Sequence, residues 1–124
     1  MKIKIFSEKT GPIAATLTDE NKETAEAIYQ ALPIEANANT WGDEIYFRIP
    51  VESELGNPKE VVEIGDLAYW PPGNAFCIFF GRTPASKGDE IRPASAVNVI
   101  GKIEGDPKIF KKVGSGDKIR IEKA

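Results

Sequence analysis

The segment AFCIFF at residues 75–80 constrains the fold more than any other part of the chain, because both of its faces are apolar. Alternate side chains of a β-strand point to opposite faces of the sheet. Here one face carries alanine, cysteine and phenylalanine, and the other carries two phenylalanines and an isoleucine. Neither face suits contact with water. The segment is therefore predicted to be a central strand that is covered on both faces, with Cys77 buried as a small apolar residue.

Seven further segments carry strand patterns and are separated by clusters of Gly, Pro, Asn and Asp. They are residues 2–6, 12–17, 44–49, 60–64, 67–70, 97–103 and 118–122. The first and last alternate isoleucine with charged or polar residues, and we expect them to lie in the same sheet. Eight short strands within 124 residues indicate a β-sandwich or a β-barrel.

One segment departs from the strand pattern and predicts an amphipathic α-helix over residues 19–32. Its apolar residues follow the helical spacing and are Ala25, Ile28, Tyr29 and Leu32. Thr18 or Asp19 is expected to cap the start of the helix, and Pro33 is expected to end it. The helix is expected to form the second layer over the strand at residues 75–80, on the face opposite the barrel interior.

Composition excludes several classes of function. The chain contains no histidine, which removes the commonest general base and the commonest transition-metal ligand. Its formal net charge of −3 argues against a nucleic-acid partner. No apolar run approaches the roughly 20 residues that span a bilayer, and the start MKIKIF lacks a signal-peptide pattern. We therefore expect a cytoplasmic protein with no membrane partner, no metal and no cofactor.

The segment YWPPGN, directly before residues 75–80, holds aromatic side chains at the end of a strand. Pro71 and Pro72 lack amide donors and force the chain out of the sheet, so Trp70 is held on a stiff segment. Rigid aromatic groups beside such turns commonly form walls of binding pockets. Trp70 either plugs the open end of a barrel or walls a pocket, and the two roles are compatible.

A second candidate region lies at residues 37–50. If residues 45, 47 and 49 face the core, then Glu44, Tyr46 and Arg48 share the opposite face of the strand. Arg48 has the chemistry to bind a carboxylate or phosphate, with Glu44 as proton acceptor. The alternative is an exposed strand face with an ion pair worth under about 1 kcal/mol. Trp41 in the preceding loop favours a functional role, and Arg82 is placed near the same rim.

The segment GDLAYWPPGNAFCIFFGRTP, with WGDEIYF before it and ASAVNVIGKI after it, resembles a family of small prokaryotic proteins of unknown function with a cyclophilin-like fold, of the Thermotoga type. The resemblance covers most of the chain. It implies a mainly β fold in a single domain of residues 1–124, a partly open, eight-stranded barrel with one capping α-helix near residues 19–32.

The same resemblance argues against prolyl isomerase activity. True cyclophilins depend on an arginine, a glutamine, a tryptophan and histidines in their active site. A loose alignment with that region places Trp70 at the arginine position and Ile78 at the glutamine position, and the chain has no histidine. The resemblance therefore supplies no catalytic residue.

Two functional hypotheses follow from the sequence. The first is a binding module for a small anionic molecule or an extended peptide. The second is a histidine-free enzyme that acts on a small anionic metabolite, with Glu44 or an aspartate as base and Arg48 as clamp. No oligomeric state is predicted. The residues assigned to the pocket and its rim are Trp41, Glu44, Tyr46, Arg48, Tyr69, Trp70 and Arg82.

Overall fold

Ten β-strands form one antiparallel sheet in the computed structural model, which describes residues 1–124. The strands are β1 (Lys2–Ser7), β2 (Gly11–Leu17), β3 (Ile34–Asn37), β4 (Asn39–Thr40), β5 (Glu44–Arg48), β6 (Pro58–Lys59), β7 (Asp66–Trp70), β8 (Ala75–Phe79), β9 (Val97–Ile103) and β10 (Lys118–Lys123). One α-helix, α1 (Lys22–Ala31), and two short 3-10 helices at Pro71–Gly73 and Pro107–Lys112 complete the fold.

A single segment, residues 34–40, brings the two edges of the sheet together. The strand order is β3-β10-β1-β2-β9-β7-β8-β5-β4, with β6 paired to β9 outside this path. Its two end strands, β3 and β4, are consecutive in the chain and are separated only by the buried residue Ala38. The first half of the segment pairs with β10 and the second half with β5. The sheet is thereby almost closed into a barrel, which confirms the predicted mainly β barrel with one helix.

Strand β8 lies between β5 and β7, and all five of its residues are buried. Phe76 and Ile78 belong to the main core inside the barrel, where Phe76 stacks on Phe47 with a centroid distance of 5.5 Å. Ala25 and Ile28 of α1 belong to the same core. The helix therefore packs against the barrel interior.

The opposite face of β8 has a different cover. Ala75, Cys77 and Phe79 form a smaller core with Val62 and Ile91, which pair with each other through an isolated bridge. Residues 81–96, which we call the covering segment, thus contribute to the layer on this face. The expectation of burial on both faces is confirmed. The expectation that the helix lies over this second face is wrong, because the helix packs with the core inside the barrel.

The helix begins three residues later than the sequence predicted. Asn21 occupies the N-cap position without a side-chain cap, so neither Thr18 nor Asp19 has the predicted role. The Asn21 side chain instead donates to the Val99 carbonyl at 2.9 Å and accepts from the Asn57 amide at 2.8 Å. Its hydrogen-bonding groups are used to hold a neighbouring loop.

Strand assignment differs from the prediction in one lost strand and three added ones. Residues 60–64 form no strand, and only Val62 makes a bridge. The short strands β3, β4 and β6 were not predicted, because two to four residues are too few to show an alternating pattern.

Asn98 of β9 is fully buried and ties the barrel to the loop that follows β5. Its amide nitrogen donates to the Glu54 carbonyl at 2.8 Å and to the Thr24 hydroxyl at 3.2 Å. Its side-chain oxygen accepts from the Gly56 amide at 3.0 Å. One side chain therefore connects β9, α1 and residues 54–56.

The substitution Phe76→Ala is expected to lower the free energy of unfolding by about 3–5 kcal/mol, because it leaves a cavity in the main core. The matched control is Phe6→Ala, since Phe6 is 38% exposed and loses less on truncation. Chemical denaturation of both variants measures the difference. Equal losses would contradict the central position of β8.

The substitution Asn98→Ala is expected to lower the free energy of unfolding by about 2–3 kcal/mol, because it leaves buried polar partners without hydrogen bonds. The Gly56 amide should then exchange its hydrogen faster. Asn39→Ala is the control, since Asn39 is exposed and donates only to the Tyr46 carbonyl at 3.2 Å. Unchanged exchange at Gly56 would show that the loop is held in another way.

Candidate functional site

A cavity of about 230 Å³ lies on the face of the sheet opposite the main core. We call it the aromatic cavity. Its lining residues are Trp41, Glu44, Tyr46, Trp70, Pro93, Ala94 and Val97. The structure thus brings together four of the residues that the sequence assigned to a pocket.

Strand pairing explains why these side chains meet. Glu44 and Tyr46 are two residues apart on β5 and share a face, while Ile45 between them points into the main core. Tyr46 lies opposite Cys77 of β8, and Trp70 at the end of β7 lies opposite Ala75. The predicted common face of Glu44 and Tyr46 is therefore part of the cavity.

Trp70 is fixed on two sides. Its indole nitrogen donates to the Ser95 hydroxyl at 2.7 Å. Its ring also lies close to Gly73, where an added Cβ would be only 2.9 Å from two ring carbons. The absence of a side chain at Gly73 allows the indole to lie against the turn that follows β7. The ring is thus held in one orientation at the cavity wall.

The covering segment forms the other wall and is held by its own hydrogen bonds. The Thr83 hydroxyl donates to the Arg92 carbonyl. The Ser86 hydroxyl oxygen accepts from the amides of Thr83 at 3.1 Å and Arg92 at 3.3 Å. Arg92 also pairs with Glu90 at 2.9 Å. These bonds position the residues that directly follow Arg92, which are the wall residues Pro93 and Ala94.

Glu44 is the acidic group of the cavity, and it is only 5% exposed. Burial raises the pKa of Glu44 from its ordinary value of 4.5 to about 7, and the neighbouring Cys77 thiol offsets part of this effect. No basic group contributes to the shift. Both the neutral and the ionised carboxyl are therefore populated near neutral pH.

Cys77 lies behind Glu44 and is itself buried. Burial raises the pKa of the Cys77 thiol well above its ordinary value, and the neighbouring Glu44 carboxyl raises it further. The thiol therefore stays protonated at neutral pH. This agrees with the structural role that the sequence indicated for Cys77.

Tyr69 lies outside the aromatic cavity, although the sequence analysis grouped it with Trp70. Neighbouring residues of a strand point to opposite faces, so these two side chains do not share a wall. Tyr69 is fully buried in the main core, and its hydroxyl donates to the Val51 carbonyl at 2.6 Å. The grouping is corrected: Tyr69 is part of the main core.

The two predicted arginines are not among the residues that line the cavity. Arg48 is exposed and lies beyond Tyr46 on β5, opposite Ala75. Arg82 is exposed, and its backbone carbonyl accepts from the Asp43 amide at 2.8 Å. The cavity is lined by no lysine or arginine, so the predicted arginine clamp is not assembled around Glu44.

Sequence reasoning missed three wall residues, namely Pro93, Ala94 and Val97. Val97 was assigned only to a strand, and the Pro-Ala pair carries no pattern of its own. The sequence therefore carried no signal that would have placed Pro93 and Ala94 at the cavity.

A larger and more polar depression of about 880 Å³ lies at the start of α1 and along residues 52–57. Several of its polar groups bond one another, including Thr24 with Ser53 at 2.6 Å and Asn21 with Asn57. Loop attachment explains these groups without a ligand, so we place the candidate site at the aromatic cavity.

No helix of the structure has the length and apolar character needed to cross a bilayer.

Comparison with known proteins supports the fold but names no biochemical activity. The structure is similar to the solution structure of a hypothetical protein from Archaeoglobus fulgidus, with a TM-score of 0.83 and 49% sequence identity over 100% of this chain and 95% of that chain. A search of curated proteins finds no matching sequence. Residues 1–122 match the family described as Cyclophilin-like. Together with the almost closed barrel, this match shows that the chain belongs to the Cyclophilin-like family.

Proposed function

We propose that this protein is a binding module for a small molecule and that the ligand occupies the aromatic cavity. One observation carries the proposal: a concave, mainly apolar site encloses a single buried carboxyl, that of Glu44. Ligand sites are typically apolar clefts with a few converging polar groups, and groups with shifted pKa values concentrate in them.

The size of the cavity limits what it holds. Pockets for drug-sized ligands have volumes of roughly 300–1,000 Å³. The aromatic cavity, at about 230 Å³, is smaller. It therefore suits a small metabolite, or one side group of a longer ligand such as an extended peptide.

A second candidate function is proton abstraction by Glu44. A general base works best when its pKa is near the working pH, and the pKa of about 7 at Glu44 meets this condition. However, a base also needs groups that stabilise the developing negative charge, and the cavity lining contains no lysine or arginine. Binding without turnover is therefore the function that we favour.

The chain provides its own reporter for occupancy of the cavity. Its two tryptophans, Trp41 and Trp70, both line the aromatic cavity. A screen of small amines, alcohols, carboxylates and proline-rich peptides should therefore identify ligands that change tryptophan emission and raise the melting temperature together. A ligand that raises the melting temperature without changing the emission would place binding elsewhere and contradict the proposal.

The substitution Trp70→Ala is expected to remove the ligand-induced rise in melting temperature. Because Trp70 is partly exposed, its own loss of unfolding free energy should be about 1–2 kcal/mol, well below that of Phe76→Ala. Thermal and chemical denaturation with and without the ligand measure both effects. A stability loss as large as that of Phe76→Ala would identify Trp70 as a plug of the fold.

Glu44 makes the stability of the protein depend on pH. Because its pKa is about 7 in the folded state and 4.5 ordinarily, the folded state binds the proton more tightly than the unfolded chain. The contribution of Glu44 to stability is therefore complete below pH 4.5 and is lost as the pH rises through about 7.

The variant Glu44→Gln keeps the shape of the neutral acid and removes this loss. It should match the natural protein near pH 4.5 and exceed it by at most about 3 kcal/mol at pH 8.5. Urea denaturation across this range measures the difference, with Glu8→Gln, at an exposed position, as the control. If the free energy of unfolding changed with pH in the same way for all three proteins, burial would not raise the pKa of Glu44.

A further inference from the structure

We infer that the ligand of the aromatic cavity is a small organic cation, an ammonium group with apolar substituents, for which Glu44 serves as the counter-ion. This inference rests on the proposed binding function and names its ligand class. It replaces the small anion, which was one of the two ligand classes expected from the sequence, because neither Arg48 nor Arg82 lines the cavity.

The charges around the cavity favour a cation. A charge that is moved out of water needs a partner of opposite sign. An anion in the cavity would find the Glu44 carboxyl and no basic side chain among the lining residues. A cation would find that carboxyl directly, and no lysine or arginine lines the cavity to compete with it.

The Glu44 carboxyl also lacks a cationic partner within the protein. The structure contains nine ion pairs between side chains, and none of them includes Glu44. A bound ammonium group would supply the missing partner. Since an adjacent positive charge favours the ionised form of a carboxyl, binding would draw Glu44 toward the carboxylate.

The aromatic side chains of the cavity provide the second attraction. Trp41, Tyr46 and Trp70 line it together. The π-systems of such rings attract cations, tryptophan most strongly, and clusters of aromatic rings bind quaternary ammonium groups in many proteins. The indole N–H of Trp70 already donates to Ser95, so it is not free to hold an anion. The acidic charge of the lining and the aromatic ring faces therefore both favour a cation.

Few other ionisable groups face Glu44, so its own ionisation should dominate the pH dependence of binding. β8 contributes the Cys77 thiol, and β5 contributes the Tyr46 phenol. β7 contributes Trp70, and the covering segment contributes Pro93 and Ala94, none of which ionises. Affinity for a cation should therefore rise between pH 5.5 and pH 8 as the carboxyl loses its proton.

Three probes of nearly the same shape separate charge from fit. They are choline, its uncharged carbon analogue 3,3-dimethylbutan-1-ol, and the anion 3,3-dimethylbutanoate. Tryptophan emission at pH 8 should show that choline binds at least about tenfold more tightly than the alcohol, and that the anion binds most weakly. Glu44→Gln should lower the affinity for choline about tenfold and leave that for the alcohol unchanged. Glu8→Gln should change neither affinity.

The possible outcomes distinguish this inference from the proposed function. If the alcohol or the carboxylate bound as tightly as choline or more tightly, the inference of a cationic ligand would be wrong. The proposal of a small-molecule binding module would still stand. Unchanged choline affinity in Glu44→Gln would remove Glu44 as the counter-ion. If none of the three probes binds, the cation inference fails, while the wider ligand screen decides the binding function separately.

Discussion

Strand β8 carries apolar side chains on both faces, and the layers around it keep water away from each of them. The barrel interior and α1 enclose one face, while Val62 and Ile91 close over the other. Burial of each large apolar side chain contributes about 1.5–3 kcal/mol, so a strand with two buried faces stabilises both cores at once. The positions of β5 and β7, and thereby of the candidate site, depend on their pairing with this strand.

The aromatic cavity exists where this second cover is incomplete. Over most of the outer face of β8, apolar side chains fill the space, but beside β5 the cover leaves a volume of about 230 Å³ with the Glu44 carboxyl in it. A buried carboxyl without a cation lowers stability near neutral pH, as the raised pKa of Glu44 shows. Apolar packing would stabilise this position more than an acid does. A residue that lowers stability in this way is typical of functional sites.

The parts of the structure that follow from local alternation were predictable from the sequence, and the parts that depend on distant contacts were not. The period of two identified β8 as doubly buried and placed Glu44 with Tyr46 on one face. The same rule, applied to Tyr69 and Trp70, would have separated them. The covering segment has no repeating pattern, because its shape comes from hydrogen bonds among Thr83, Ser86 and Arg92. The closing segment at residues 34–40 was missed for a similar reason, since its pairing depends on strands far away in the chain.

The closing segment also determines the spacing of the cavity wall. β4 ends at Thr40, and the next residue, Trp41, donates its amide hydrogen to the Glu44 carbonyl at 2.9 Å. The hairpin of β4 and β5 is part of the closure of the barrel. Its turn also sets the distance between the Trp41 indole and the Glu44 carboxyl. A displacement of the seam would have only four residues of backbone to cross before it reached Glu44, so we expect the closure of the barrel and the width of the aromatic cavity to change together.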